Sequence, residues 1–126
     1  MTRPYHYIDV ERRGDVFCTR LRHPQLDEPQ IHELAGELRQ LVTDESCRKL
    51  ALSLGPDSPQ FLYSVFLAKL ITLQRLLHEH QGELVLCHVS PSVHSIFETC
   101  CLDQLFRFVP DFDAAVAYWG KSEQPA

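Results

Sequence analysis

Residues 82–93 read Gly-Glu-Leu-Val-Leu-Cys-His-Val-Ser-Pro-Ser-Val, and this stretch decides the fold class. The apolar run over 84–89 is typical of a strand that is buried on both faces. Gly82 before it is expected to end a helix as its C′ residue. Ser90 and Pro91 after it have the residue types of an N-cap and a first helical position. A buried strand between two helices predicts an α/β domain with a mostly parallel sheet.

The same patterns continue towards both ends of the chain. Alternating segments over 5–10 and 16–21 flank the turn residues Gly14 and Asp15, which predicts an N-terminal hairpin. The other predicted elements are a helix that begins at the N-cap Asp27, a strand over 50–54, a helix after Ser64, a short strand over 106–109 and a helix over 112–119, with residues 120–126 as a frayed tail. We therefore expect about five strands, with about four helices packed mainly on one face of the sheet.

Length and composition set broad limits on function. The chain has 126 residues, of which 44% are hydrophobic, and its net charge is −5. These values suit one domain with a real core, and an acidic chain without clustered Lys and Arg argues against nucleic-acid binding. The five cysteines have no ordered spacing, which favours a reducing cytoplasm over a disulfide framework. The sequence has neither a signal-peptide run nor an apolar run long enough for a membrane span.

In the order of its predicted elements and short motifs, the chain resembles the STAS family, the bacterial anti-sigma factor antagonists, over roughly residues 8–118. The resemblance rests on the order and spacing of several short segments rather than on one motif. These are Leu26-Asp27 before the first helix, the strand over 50–54, the stretch over 61–70, the stretch over 82–93, Cys101-Leu102, Phe106 and Asp113-Ala114-Ala115.

The resemblance implies a STAS fold and a partner switch. Such a domain binds an anti-sigma factor that is also a serine protein kinase, and phosphorylation of a serine after the third strand releases it. On this chain the phosphoacceptor falls on Ser64. The residues implied in partner binding are Asp27, Ser58, Phe61, Tyr63, Ser64, Phe66 and Lys69. The resemblance implies no cofactor, and it leaves open whether the chain forms a homodimer.

The chemistry at Ser64 is consistent with this role. A serine at the start of a helix can cap a free backbone N–H, and a phosphate there faces the positive end of the helix dipole. The alternative is an unmodified N-cap serine. Tyr63, Val65 and Phe66 stand where the family usually has aspartate, serine and glycine, so a member that docks constitutively is a second alternative. Each aromatic residue of this stretch is either core or an exposed docking group.

Other kinds of site find little support in the sequence. His78 and His80 lie about 200° apart around a helix, and the adjacent Cys100 and Cys101 lack the spacing of a zinc or redox motif, so we expect no metal site. No nucleophile with an oriented base is recognisable. Glu33 and Glu37 are one helical turn apart, but we expect them to be solvated on the outer face of the first helix, so we expect no enzyme. A small-ligand sensor with the same fold is the remaining alternative, and an apolar cavity beneath the loop after the third strand would favour it.

Overall fold

The computed structural model describes residues 5–23, 26–54 and 64–123, without the side chains of residues 64 and 121–123. Strands and helices alternate along most of the chain. The elements are β1 (Ile8–Arg13), β2 (Val16–Leu21), α1 (Glu28–Thr43), β3 (Lys49–Ser53), α2 (Ser64–Glu79), β4 (Glu83–Cys87), α3 (Pro91–Thr99), β5 (Arg107–Val109) and α4 (Phe112–Glu123).

The five strands form one sheet in the order β1-β2-β3-β4-β5. β1 and β2 pair antiparallel around the Gly14 turn, where Gly14 has a φ of 64°. The three other pairings are parallel, and they place Ser53 of β3 opposite Cys87 of β4. The predicted mixed, mostly parallel sheet with an N-terminal hairpin is confirmed.

The two faces of the sheet carry different numbers of helices. α1, α2 and α3 cover one face, where Leu50, Leu52, Leu84 and Leu86 lie in the main core. α4 covers the opposite face, where its Trp119 packs with Ala51, Val85 and their neighbours. Because side chains alternate between the faces of a strand, the continuous apolar runs of β3 and β4 supply both cores.

The first strand begins later than the sequence predicts. Alternation places it at 5–10, but pairing with β2 starts only at Ile8 and continues to Arg13. Tyr5 and Tyr7 precede the strand and are buried at 5% and 8% exposure. The alternation therefore reports burial of two tyrosines against the main core, and the carbonyl of Tyr7 accepts the N–H of Arg22 at 2.9 Å just before the strand begins.

Gly82 does not have the predicted role of a C′ residue. The left-handed residue after α2 is Gln81, with a φ of 64°. Its N–H donates to the carbonyl of His78 at 3.0 Å, and the N–H of Gly82 donates to that of Leu77 at 2.6 Å, which is a Schellman motif one residue earlier than expected. Gly82 is instead a point of close approach, because a Cβ there would lie 2.5 Å from the carbonyl oxygen of Arg48.

Boundary differences of more than one residue also occur at the ends of α4 and β4. The last helix was expected to end at residue 119, but α4 continues to Glu123, so residues 120–123 of the predicted frayed tail are helical. β4 ends at Cys87 rather than at residue 89, because His88 adopts a φ of 56° that turns the chain out of the strand.

Candidate functional site

The N-termini of α1 and α2 lie at the same edge of the sheet. Each helix follows one of the parallel strands β2 and β3, so both begin where those strands end. In open α/β sheets this carboxyl edge is the usual place for binding sites. The free N–H groups and dipoles of the two helix starts favour negative charge there.

Asp27 caps α1 at this edge. Its carboxylate Oδ1 accepts a hydrogen bond from the backbone N–H of Gln30 at 2.9 Å. In return, the Gln30 side-chain oxygen accepts one from the backbone N–H of Asp27 at 3.0 Å, and Pro29 lies in the first turn. The predicted N-cap is therefore present, and it forms a reciprocal capping box with Gln30. Asp27 is exposed, so its cap function leaves the carboxylate open to solvent.

The segment between β3 and α2 was expected to hold most of the contact surface. Ser58, Phe61 and Tyr63 lie outside the described residues. Ser64 is the first residue of α2, which agrees with the predicted position at a helix start. Its role as phosphoacceptor stays a prediction.

Two predicted contact residues of α2 have opposite environments. Phe66 is 1% exposed and packs in the main core, so its ring is not available as a docking group, and the core alternative is the correct one for this residue. Lys69 is half-buried and lines a groove between α1 and α2. Of the predicted contact residues on α2 whose side chains are described, Lys69 is thus the one that reaches the surface.

Ser53 and His88 form a polar contact at the carboxyl edge that the sequence did not reveal. The Ser53 side chain is buried, and its Oγ lies 2.7 Å from Nδ1 of His88. The His88 ring meets the ring of Phe112 edge-on, with centroids 5.2 Å apart. His88 therefore has a polar partner, and its contacts connect the ends of β3 and β4 to the start of α4.

The acidic residues Glu33 and Glu37 of α1 were expected to be merely solvated, and that is wrong. Glu37 accepts hydrogen bonds from the backbone N–H groups of His6 and Tyr7 at 2.8 and 2.9 Å. The Tyr7 hydroxyl donates to Glu33 at 2.6 Å, and this bond, with burial and the nearby carboxylates, raises the pKa of Tyr7 to about 12. These two carboxylates fasten the N-terminal segment to α1.

The thiols fall into a buried and an exposed group. Burial raises the pKa of Cys47 and of Cys87 to about 12, and it also raises the pKa of Cys18. Cys100 and Cys101 are exposed at the end of α3, and all five cysteines are free. Within residues 5–23, 26–54 and 64–123, no three His, Cys, Asp or Glu side chains come together as metal ligands. In the same ranges no helix has the length and apolar character needed to cross a bilayer.

Comparison with known proteins agrees with this architecture. The STAS domain family model matches residues 7–115. The anti-sigma F factor antagonist of Paenibacillus polymyxa is 26% identical over 109 residues, which cover 86% of this chain and 88% of that protein.

Solved structures show the same fold. An anti-sigma-factor antagonist (STAS) domain protein from Planctomyces limnophilus superposes with a TM-score of 0.72 at 21% identity, over 87% of this chain and 96% of that one. The Bacillus cell fate determinant SpoIIAA in its phosphorylated form superposes with a TM-score of 0.65 at 14% identity, over 88% and 98%. With its five-stranded sheet, its four helices and a family match over most of its length, the chain belongs to the STAS domain family.

Proposed function

We propose that this protein is an anti-sigma factor antagonist that acts by binding an anti-sigma factor with serine kinase activity. The observation that carries the proposal is the family match over residues 7–115, together with a relative that is itself an anti-sigma F factor antagonist. The role is binding rather than catalysis, and it requires no cofactor. We place the protein in the cytoplasm, which the five free cysteines support.

The contact surface in this proposal lies at the starts of α1 and α2. Asp27 caps α1, Ser64 opens α2, and the segment with Ser58 and Tyr63 leads into α2. Lys69 extends the same surface one and a half turns along α2. Phe66 is excluded from the contact set because its ring is buried.

Phosphorylation of Ser64 is the proposed release signal. A phosphate adds about −1.5 to −2 charges at neutral pH, and at the start of α2 it would face the positive end of the helix dipole. It would thus be tolerated by the fold while adding a charge that a docked partner must desolvate. That SpoIIAA has a solved phosphorylated form supports such a switch in this fold.

Phosphosite mapping tests the release signal. The purified protein is incubated with ATP and a lysate of its host, beside Ser64→Ala as a matched control, and peptides over residues 58–64 are analysed by mass spectrometry. We expect phosphate on Ser64 in the wild type and none in Ser64→Ala. Phosphate on Ser58 alone, or on neither serine, would overturn the release signal and favour constitutive docking.

A further inference from the structure

A groove runs along the surface between α1 and α2. Its volume is about 120 Å³. It is lined by His32, Ala35, Gly36 and Arg39 of α1 and by Lys69, Thr72, Leu73 and Leu76 of α2. We call it the α1–α2 groove. Its α2 wall belongs to the same helix that Ser64 opens.

The floor of the α1–α2 groove is small and apolar. Ala35 and Gly36 leave room above α1, and a Cβ built on Gly36 would meet nothing within 4 Å. Leu73 is buried, and Leu76 is half-buried beside it. The floor can therefore accept one small apolar side chain from outside.

The rim of the α1–α2 groove is cationic although the chain as a whole has a net charge of −5. His32 and Arg39 are seven residues apart, which is about 10 Å along α1. Lys69 faces them from α2. Among the ion pairs of the described residues, none includes Arg39 or Lys69.

Within the described part of the chain, neighbouring acidic side chains do not pair with this rim. The α1 carboxylates Glu33 and Glu37 are engaged by Tyr7 and the backbone before β1. α2 has no acidic residue in its first turn. Arg39 and Lys69 thus have no acidic partner among the described residues, and they lie on either side of an apolar floor. This arrangement is complementary to carboxylates that flank an apolar side chain.

The size of the α1–α2 groove decides between a small molecule and a protein segment. Pockets for small ligands usually measure about 300–1,000 Å³ and enclose most of the ligand. At about 120 Å³ this groove is too small for such a ligand, whereas one anchoring side chain of a longer segment fits.

From this geometry we propose that the α1–α2 groove binds an acidic segment of the partner protein. One apolar side chain of that segment sits over Ala35 and Gly36, and its carboxylates pair with Arg39 and Lys69. This inference rests on the proposed function and names the chemistry of the partner. A phosphate on Ser64, which starts α2 about 7–8 Å along the helix axis from Lys69, would add negative charge at the end of the helix that binds these carboxylates.

The test is a titration of the purified chain with a purified serine-kinase anti-sigma factor from the same organism. Arg39→Glu and Lys69→Glu reverse the charge on the two sides of the rim, and Gly36→Leu fills the space above the floor. Arg75→Glu is the matched charge control, since it makes the same change on α2 outside the groove. Gly36→Ala is the matched steric control. Circular dichroism spectra check that each variant is folded.

We expect each rim reversal and Gly36→Leu to weaken binding at least about tenfold, and the two controls to change it less than about twofold. Binding by the wild type that all variants retain would overturn the groove assignment and leave the proposed function intact. If the wild type does not bind the kinase at all, the proposed function fails and the groove assignment fails with it. A dimer of the chain alone that Arg39→Glu dissociates would assign the groove to a second copy instead.

Discussion

Gly82→Ala tests the close approach between the start of β4 and the residue before β3. The added Cβ would lie 2.5 Å from the carbonyl oxygen of Arg48 and 2.9 Å from its Cα, whereas ordinary contacts begin near 3.4 Å. The obstacle is backbone, so it cannot rotate away as a side chain would. The same carbonyl accepts the N–H of Glu83 at 2.8 Å, and any shift that relieves the overlap lengthens this hydrogen bond.

The expected cost of Gly82→Ala combines these two effects. Overpacking in a closely packed site costs about 1–3 kcal/mol, and a weakened backbone hydrogen bond adds up to about 1 kcal/mol. We therefore expect the free energy of unfolding to fall by roughly 1–4 kcal/mol. Such a loss is a large fraction of the roughly 5–15 kcal/mol typical of a domain.

Urea unfolding followed by circular dichroism measures this loss, with the m-value expected to be unchanged. Gly36→Ala is the control, because it makes the same chemical change within a helix where nothing lies within 4 Å of the new Cβ. It should raise stability by about 0.5–1 kcal/mol. If Gly82→Ala lies within about 0.5 kcal/mol of the wild type, the close approach is not as described.

Further predictions concern the end of α2, the cap of α1 and the buried thiols. Gln81→Gly relieves the left-handed φ of 64° at this non-glycine position and should stabilise the fold by about 1 kcal/mol in the same urea assay; a loss of stability would contradict the Schellman assignment. Asp27→Ala removes the cap of α1 and should cost about 1 kcal/mol, while Asp27→Asn, which keeps a capping oxygen, should cost much less; equal losses would exclude the capping box as the cause. At pH 8 a thiol reagent should label Cys100 and Cys101 in the folded protein and all five cysteines in urea, and rapid labelling of Cys47 would refute its burial. Because burial raises the pKa of Cys47 from 9.0 to about 12, the neutral thiol favours the fold below pH 9, and this contribution is lost as the pH rises from 9 towards 12.

Local signals in the sequence account for much of the fold. The apolar runs of β3 and β4 have few alternatives to burial on both faces, and the caps at Asp27 and Ser90 are made by neighbours within three residues. Such features depend on residues close together in the chain, so they can be recognised before the fold is known.

The mistaken predictions involve contacts between distant residues. Glycine is typical of a helix terminus, but position 82 needs glycine because the backbone of Arg48, which precedes β3, leaves no room for a Cβ. Glu33 and Glu37 have the spacing of a solvated helix face, and only the path of the N-terminal segment brings Tyr7 onto them. The pairing of Ser53 with His88 likewise needs the register of β3 with β4.

The candidate site likewise has features that depend on local sequence and features that depend on contacts between distant residues. The position of Ser64 at the start of α2 follows from local pattern and family resemblance. The burial of Phe66 and the cationic groove at Lys69 depend on how α1 and α2 pack against each other and the sheet, which helical spacing on one element does not define.

The central claim is that this STAS domain docks a serine-kinase anti-sigma factor through a surface that includes Ser64. The most direct measurement is the dissociation constant of that complex by calorimetry, for the wild type, Ser64→Asp and the uncharged control Ser64→Asn. We predict that the wild type and Ser64→Asn bind, and that Ser64→Asp binds at least about tenfold more weakly with a nearly unchanged thermal midpoint. Equal binding by all three, or no binding by the wild type, would contradict the account.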